Sequence, residues 1–313
     1  MTYKPLASLP VPAMVLLFIT MMSVLGARYF LLEDTTESSY TISSPTRAIP
    51  TVAIDESRVV ARSFVVYDVL QNEILYERNA DAQLPLASVA KLMTALVASE
   101  SLSDASPITI TEEALNEEGE SGFTYGESWY LPDLLDYTLI TSSNDGAAAV
   151  ALAADDILPD GTHNLGGFVE SMNMYAKSLG LQQTYFLNPT GLDISLTHSG
   201  AYGSARDMSM LTAYLLRTKP ELLAKTKDLV VSTDSLNASH IAENTNTLVG
   251  MIPGLIASKT GYTDLAGGNL VIAFDAGIGH PAVVVVLGST KDERFSDAIY
   301  LSEIAREVIN SRN

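Results

Sequence analysis

The sequence predicts an α/β fold whose antiparallel sheet is closed by the two ends of the folded chain. Three observations lead there. β-rich runs pair as hairpins near both ends of the folded part, at 63–78 and 269–287, and the residues between them are dominated by apolar positions at helical spacing. The regular strand–helix–strand alternation that a parallel sheet requires is missing.

Length and composition bound the rest. Of 313 residues 47% are hydrophobic, enough to bury a sizeable core. Against 37 acidic residues stand 18 basic ones, a formal charge of -19, which speaks against nucleic acid as a partner. Cysteine is absent, so no disulfide, thiolate nucleophile or thiolate-held metal exists. The four histidines, His163, His198, His240 and His280, lack any zinc-binding spacing, and no metal or cofactor is expected.

From Val11 to Ala27 no residue is charged, and Tyr29-Phe30-Leu31-Leu32 extends the apolar run past Arg28. Leu25-Gly26-Ala27 is a poor cleavage site because leucine is bulky where a small residue is needed. Residues 11–32 are therefore read as an uncleaved transmembrane anchor in preference to a cleaved signal. Lys4 before the run and Glu33, Asp34 and Glu37 after it place residues 1–10 in the cytoplasm and the remainder outside. The Thr-, Ser- and Pro-rich stretch 33–60 reads as a flexible tether, leaving 61–313 as the folded domain.

Within the domain, Ser63–Val69 and Glu73–Arg78 form the first hairpin, and Pro85 breaks the chain before a helix that runs to Ser99. Ile108-Thr109-Ile110 is a short strand. The stretch 111–128, with six glutamates, reads as a solvated surface, and Trp129 as a packing residue. Helices follow at Leu131–Leu139 and Gly146–Asp155, separated by the polar turn Thr141-Ser142-Ser143-Asn144-Asp145, then at Leu165–Leu179 and Ala205–Arg217. Asn269–Phe274 and Ala282–Leu287 make the last hairpin, and Arg294–Ile309 the closing helix.

Chemistry concentrates first at Ser88-Val89-Ala90-Lys91. On a helix, residues three apart share a face, and Leu92, Ala95 and Leu96 continue that face with apolar groups. A lysine held there loses hydration and its pKa falls, which is one way to activate a serine without histidine. Alone the pair says little, because Ser-x-x-Lys arises by chance in many helices whose lysine merely reaches for water.

It does not stand alone. Ser142-Ser143-Asn144 lies in an interhelical turn and Lys259-Thr260-Gly261 precedes a strand hairpin, in the order known from penicillin-binding proteins and class A β-lactamases. With Asn188-x-x-Gly191-Leu192-Asp193, Lys259-Thr260-Gly261-Tyr262-Thr263 and Ala266-Gly267-Gly268-Asn269-Leu270, residues 61–313 resemble the low-molecular-mass D-alanyl-D-alanine carboxypeptidases. The resemblance implies a β-lactamase/DD-peptidase-like αβα sandwich with an all-helical subdomain. It implies Ser88 as nucleophile, Lys91 as its base, Ser142 as proton relay to the leaving amine, and Asn144 as partner of Lys91 and of the substrate amide. Lys259 would hold the polar network, Thr260 and Gly261 would line the edge where the peptide lies, and the N–H groups of Ser88 and Tyr262 would form the oxyanion hole. Arg294 would meet the substrate's terminal carboxylate. The implied substrate is a peptidoglycan stem peptide ending in D-Ala-D-Ala, with β-lactam antibiotics as covalent inhibitors, at the outer face of a bacterial cell membrane.

Several readings stay open at this point. Many carboxypeptidases of the group carry a further β-rich domain and a C-terminal membrane helix, whereas this chain stops at Asn313; that shorter layout also occurs in relatives that cut cross-links, so DD-endopeptidase activity is the alternative. A β-lactamase would need a deacylating glutamate. Glu112-Glu113-Ala114-Leu115-Asn116 fits that pattern literally but precedes Ser142, whereas in β-lactamases it follows, so the match is taken as chance. A non-catalytic wall-binding relative is the remaining alternative, and the presence of every motif residue argues against it.

Overall fold

The computed structural model describes residues 44–47, 52–119, 122–155 and 165–312. The expected anchor at 11–32 and the residues before it lie outside the described part. Among the described residues no helix is long and apolar enough to cross a membrane.

The main sheet has six strands: β1 (Thr46–Arg47), β2 (Ser63–Asp68), β3 (Glu73–Arg78), β11 (Leu255–Thr263), β12 (Gly267–Asp275) and β13 (Pro281–Ser289), in the order β1-β3-β2-β13-β12-β11; the short strands β4 (Leu84–Pro85), β5 (Pro107–Thr109), β6 (Ser128–Tyr130), β7 (Tyr185–Phe186) and β8 (Ala201–Gly203) lie outside it. All neighbours are antiparallel except the short β1–β3 pair. The N-terminal hairpin thus meets the C-terminal one through β2 and β13, as the sequence predicts. The physical reason is legible in β13: Val283 and Val285 face one apolar cluster while Val284 and Val286 face the other. A strand covered on both sides needs an unbroken apolar run.

Two layers of helix cover the sheet. Helix α6 (Glu293–Ser311) buries Leu301, Ala305 and Val308 against Phe64, Val66, Ile272 and Val284. Helix α5 (Ala205–Thr218), capped by the Ser204 hydroxyl accepting from Asp207 N (3.1 Å), packs on the opposite face with α1 (Lys91–Ser101) beyond it. Each fully buried Leu, Val or Phe in these layers contributes roughly 1.5–3 kcal/mol. The remaining helices, α2 (Leu131–Thr141), α3 (Asn144–Asp155) and α4 (Gly166–Ser178), gather around α1, with Trp129 buried among them as its packing assignment requires.

Three differences from expectation have identifiable causes. Part of the stretch expected to be a tether is docked: Thr46 N donates to Asn72 O (3.0 Å), and Glu56–Arg58 forms a 3-10 turn whose carboxylate and carbonyl hold Arg78. The outer edge of β3 takes β1 as a partner at Glu73 and Ile74, and Val52 and Ile54 are apolar residues that pack against the second core cluster. The 111–128 stretch is only partly a solvated surface. Glu127 is buried against His240 (2.5 Å), and Phe123 packs with Trp129, Tyr137 and His240 in a four-ring cluster. The third difference is a hairpin the sequence reading passed over, β9 (Val230–Asp234) with β10 (Ser239–Glu243), whose two short runs alternate buried and exposed residues.

Candidate active site

Ser88 sits where the chain turns from the sheet region into α1. The entry is fastened on both sides: Leu86 N donates to Ala201 O (2.9 Å), and the Asn269 amide donates to the carbonyls of Pro85 (2.9 Å) and Leu86 (3.0 Å). Ala87 then adopts φ 47°, a left-handed conformation that costs a non-glycine residue about 1–3 kcal/mol and persists only where its surroundings impose it. The sequence reading expected Ser88 inside the helix. Instead Ala87–Ala90 is a 3-10 turn and the α-helix proper starts at Lys91. In a 3-10 turn, residues i and i+3 eclipse, so the turn aligns Ser88 with Lys91 more directly than an α-helix does.

Lys91 Nζ lies 2.9 Å from Ser88 Oγ and donates to Asn144 Oδ1 (2.7 Å) and to Thr190 O (2.8 Å). The side chain is fully buried, and burial pushes its pKa down from the usual lysine value to about 7; the charge of Glu117 acts in the opposite sense. An amine of that kind touching a half-buried serine hydroxyl can accept its proton near neutrality.

Asn144, the first residue of α3, also donates from Nδ2 to Glu118 O (2.6 Å). Ser142 ends α2 in the left-handed region (φ 62°), which turns its hydroxyl toward β11, where Lys259 Nζ donates to it (2.7 Å) and to Thr260 O (2.9 Å). Lys259 is also fully buried. Burial first, then the neighbouring charges of Lys91 and Arg294, hold its pKa well below the ordinary lysine value. The Thr260 and Thr245 hydroxyls meet at 2.6 Å. The serines, lysines and asparagine from three distant segments therefore form one polar cluster.

β11 is the outer strand of the sheet, and its free edge faces the Ser88 turn. A Cβ on Gly261 would stand 2.9 Å from Leu86 O and 3.2 Å from Ser88 N, so glycine permits the close approach. Tyr262 is half-exposed on that edge. Arg294, expected at the substrate carboxylate, is buried at the start of α6 and donates from one guanidinium nitrogen to Gly261 O (2.7 Å), while its Nε has no partner. It reaches the same strand edge as Thr260 through the backbone.

The opposite wall is the loop 188–193, where Asn188 Oδ1 accepts from Gly191 N (2.7 Å) and Asp193 accepts from the Thr263 hydroxyl (3.0 Å). Gly191 has φ 77°, and a Cβ there would fall 2.0 Å from Ala87 O. Gly191→Ala is expected to cost about 2–4 kcal/mol, from left-handed strain plus overpacking, and to displace the Thr190 carbonyl from Lys91. Chemical denaturation checks it, and an unchanged midpoint would refute the reading of this contact. Beyond Ser142 opens a cleft of about 500 Å3, lined among others by Tyr137, Thr141, Asn144, Ile241 and Glu243.

All nine residues singled out from the sequence surround this cluster or its strand edge. Sequence reasoning missed Glu117, Thr190 (which acts through its carbonyl), Thr245, Asn269 as the clamp on the nucleophile turn, and the β10 wall. Asn269 lies in the Ala266–Leu270 motif and Thr190 in the Asn188–Asp193 motif, so both had a signal. The others carry none that a single sequence displays.

A serine–lysine pair at the junction of an antiparallel sheet and a helical layer, with a second lysine on the edge strand, defines the β-lactamase/DD-peptidase fold class of serine hydrolases. The chain belongs to the D-alanyl-D-alanine carboxypeptidase family, peptidase S11, whose family model matches residues 50–291. It is 31% identical over 255 residues to the D-alanyl-D-alanine carboxypeptidase DacF of Bacillus subtilis, covering 78% of this chain and 62% of that protein. It is likewise 31% identical over 252 residues to a D-alanyl-D-alanine endopeptidase of Pseudomonas aeruginosa, covering 79% of this chain and 77% of the other. Penicillin-binding protein D2 of Listeria monocytogenes, solved in an ampicillin-bound form, superposes with a TM-score of 0.68 at 32% identity, covering 79% of this chain and 98% of that one. The chain thus spans less than two thirds of the length of its Bacillus relative.

Proposed function

We propose that this chain is a serine-type D-alanyl-D-alanine carboxypeptidase that trims peptidoglycan stem peptides. The observation that carries the reading is Lys91: fully buried, with a pKa pushed down to about 7, its amine 2.9 Å from Ser88 Oγ. Lys91 takes the proton as Ser88 Oγ bonds to the carbonyl carbon of the penultimate D-alanine, and the N–H groups of Ser88 and Tyr262 receive the oxyanion. Ser142, held by Lys259, passes a proton to the departing amine of the terminal D-alanine. Water then attacks the ester with Lys91 again as base, releasing the shortened peptide and restoring Ser88. Asn144 orients Lys91 and the substrate amide, and Thr260, Gly261 and Arg294 build the edge that takes the peptide and its terminal carboxylate.

β-Lactams, which the Listeria relative binds, acylate Ser88 in this reading. Residues 11–32 anchor the protein in a bacterial cell membrane, residues 1–10 stay in the cytoplasm, and the catalytic domain works outside; it is secreted if the segment is cleaved. A second reading, a DD-endopeptidase that cuts cross-links, is favoured by the more complete match to the Pseudomonas endopeptidase and by a cleft far larger than a single alanine. One assay separates them. Release of free D-alanine from a stem pentapeptide is the expected result; cleavage of a cross-linked dimer without that release would replace the first reading by the second.

A further inference from the structure

A buried ammonium needs a counter-charge or it gives up its proton. Lys91 has three hydrogen-bonding neighbours, Ser88 Oγ, Asn144 Oδ1 and Thr190 O, none of them charged. Among the described residues no carboxylate oxygen comes within 4.0 Å of its Nζ. The basic groups Lys259 on β11 and Arg294 on α6 lie in the same site, and the charges of Lys91 and Arg294 add to burial in holding the Lys259 pKa down. On the carboxylate side stand Glu117 and, from α3, Asp145, which acts on Glu117.

Glu117 comes directly after the 112–116 stretch, which fits a β-lactamase motif in letter but precedes Ser142. That stretch folds into a 3-10 turn at Ala114–Asn116 with Ala114 fully buried. The turn delivers residues 117–119 to the site: Glu118 O accepts from Asn144 Nδ2 (2.6 Å), and Asn144 Oδ1 in turn accepts from Lys91. Glu117 is half-buried there, burial raising its own pKa and the Lys91 charge opposing that rise. Glu112 and Glu113 remain exposed.

We propose that Glu117 is a positioning residue for the reaction, its carboxylate supplying through space the counter-charge that sets the pH at which Lys91 exchanges its proton with Ser88. The inference rests on the reading of Lys91 as base. It also gives Glu117 a part in each half-reaction, since the ammonium formed when Ser88 is deprotonated is the species a nearby carboxylate stabilises. The loop that looked like a solvated acidic surface then tunes the catalytic lysine from outside the three motifs.

The test follows Lys91 directly. The full chain is labelled with 13C at lysine Cε, the Lys91 resonance is assigned by its loss in Lys91→Arg, and its titration is compared in wild type, Glu117→Gln, Glu117→Ala and Glu117→Asp. Both neutral variants are expected to lower the Lys91 midpoint by about 0.5–1 pH unit, whereas Glu117→Asp retains most of the wild-type value. Acylation by a fluorescent penicillin should shift in parallel, becoming roughly 3–5-fold faster near pH 6 in the neutral variants. An unmoved midpoint in the neutral variants overturns the proposal, as does a shift in Glu117→Asp as large as in Glu117→Gln. Two neutral variants keep the comparison intact if one fails to fold. A wild-type chain that takes up no penicillin would overturn the proposed function, while the lysine titration would still decide the role of Glu117.

Discussion

Ser88→Ala stays at its unmodified mass after prolonged exposure to benzylpenicillin and releases no D-alanine from a pentapeptide, a loss of at least about 10^4-fold. The size of the effect follows from what the hydroxyl does: without Oγ there is no atom to carry the acyl group, and no other nucleophile stands against Lys91. Among the described residues the only hydroxyl within hydrogen-bonding distance of Lys91 Nζ is that of Ser88; its other partners there are an amide and a peptide carbonyl. The fold should be unaffected, because Ser88 is only half-buried and its hydroxyl makes no contact that holds the left-handed Ala87 in place; Asn269 and the 188–193 loop do that. Intact-mass spectrometry decides the matter. A penicillin adduct on the variant would remove Ser88 from its role.

Lys91→Ala is expected to lower the acylation rate by about 10^2–10^4-fold, the usual range for loss of a general base. Lys91→Arg should be no better, since a guanidinium keeps its proton at any working pH. The same residue dictates the pH profile. Lys91 in the folded protein has a pKa lowered to about 7, and only its neutral amine can accept the Ser88 proton. Activity therefore rises with pH through about 7 and falls away below it as the ammonium accumulates. Stopped-flow acylation by a fluorescent penicillin from about pH 5 to about pH 9 reads that limb. A flat profile, or Lys91→Arg at the wild-type rate, would show that another group takes the proton.

The difference between Lys91 and Lys259 shows why motifs alone do not assign roles. Both are buried lysines with depressed pKa values, and both lie beside a serine hydroxyl. Only Lys91 meets a hydroxyl at the strained turn facing the edge strand. Lys259 reaches Ser142 and its neighbour's carbonyl, which suits a residue that orients a relay. Arg294 separates in the same way: from the sequence it was a cation near a helix start, while in the fold it is a buried guanidinium fastened to the carbonyl of Gly261.

Much of the fold is written in local pattern. The continuous apolar runs of β2, β12 and β13, the helical spacing of α1 to α6 and the three motifs in order establish the sheet closed by the chain ends and the residues of the site. These are short-range signals, each readable within about ten residues. The remainder arises where distant segments pack together. The left-handed Ala87 and the 3-10 turn under Ser88 exist because Asn269 and Gly191, 182 and 104 residues away from Ala87, press on that turn. Glu117 near Lys91, Thr190 O beneath it and the β10 wall of the cleft are likewise meetings of segments far apart in the chain. Their energies depend on burial and charge at a distance, and those are properties of the folded volume that no residue spacing records.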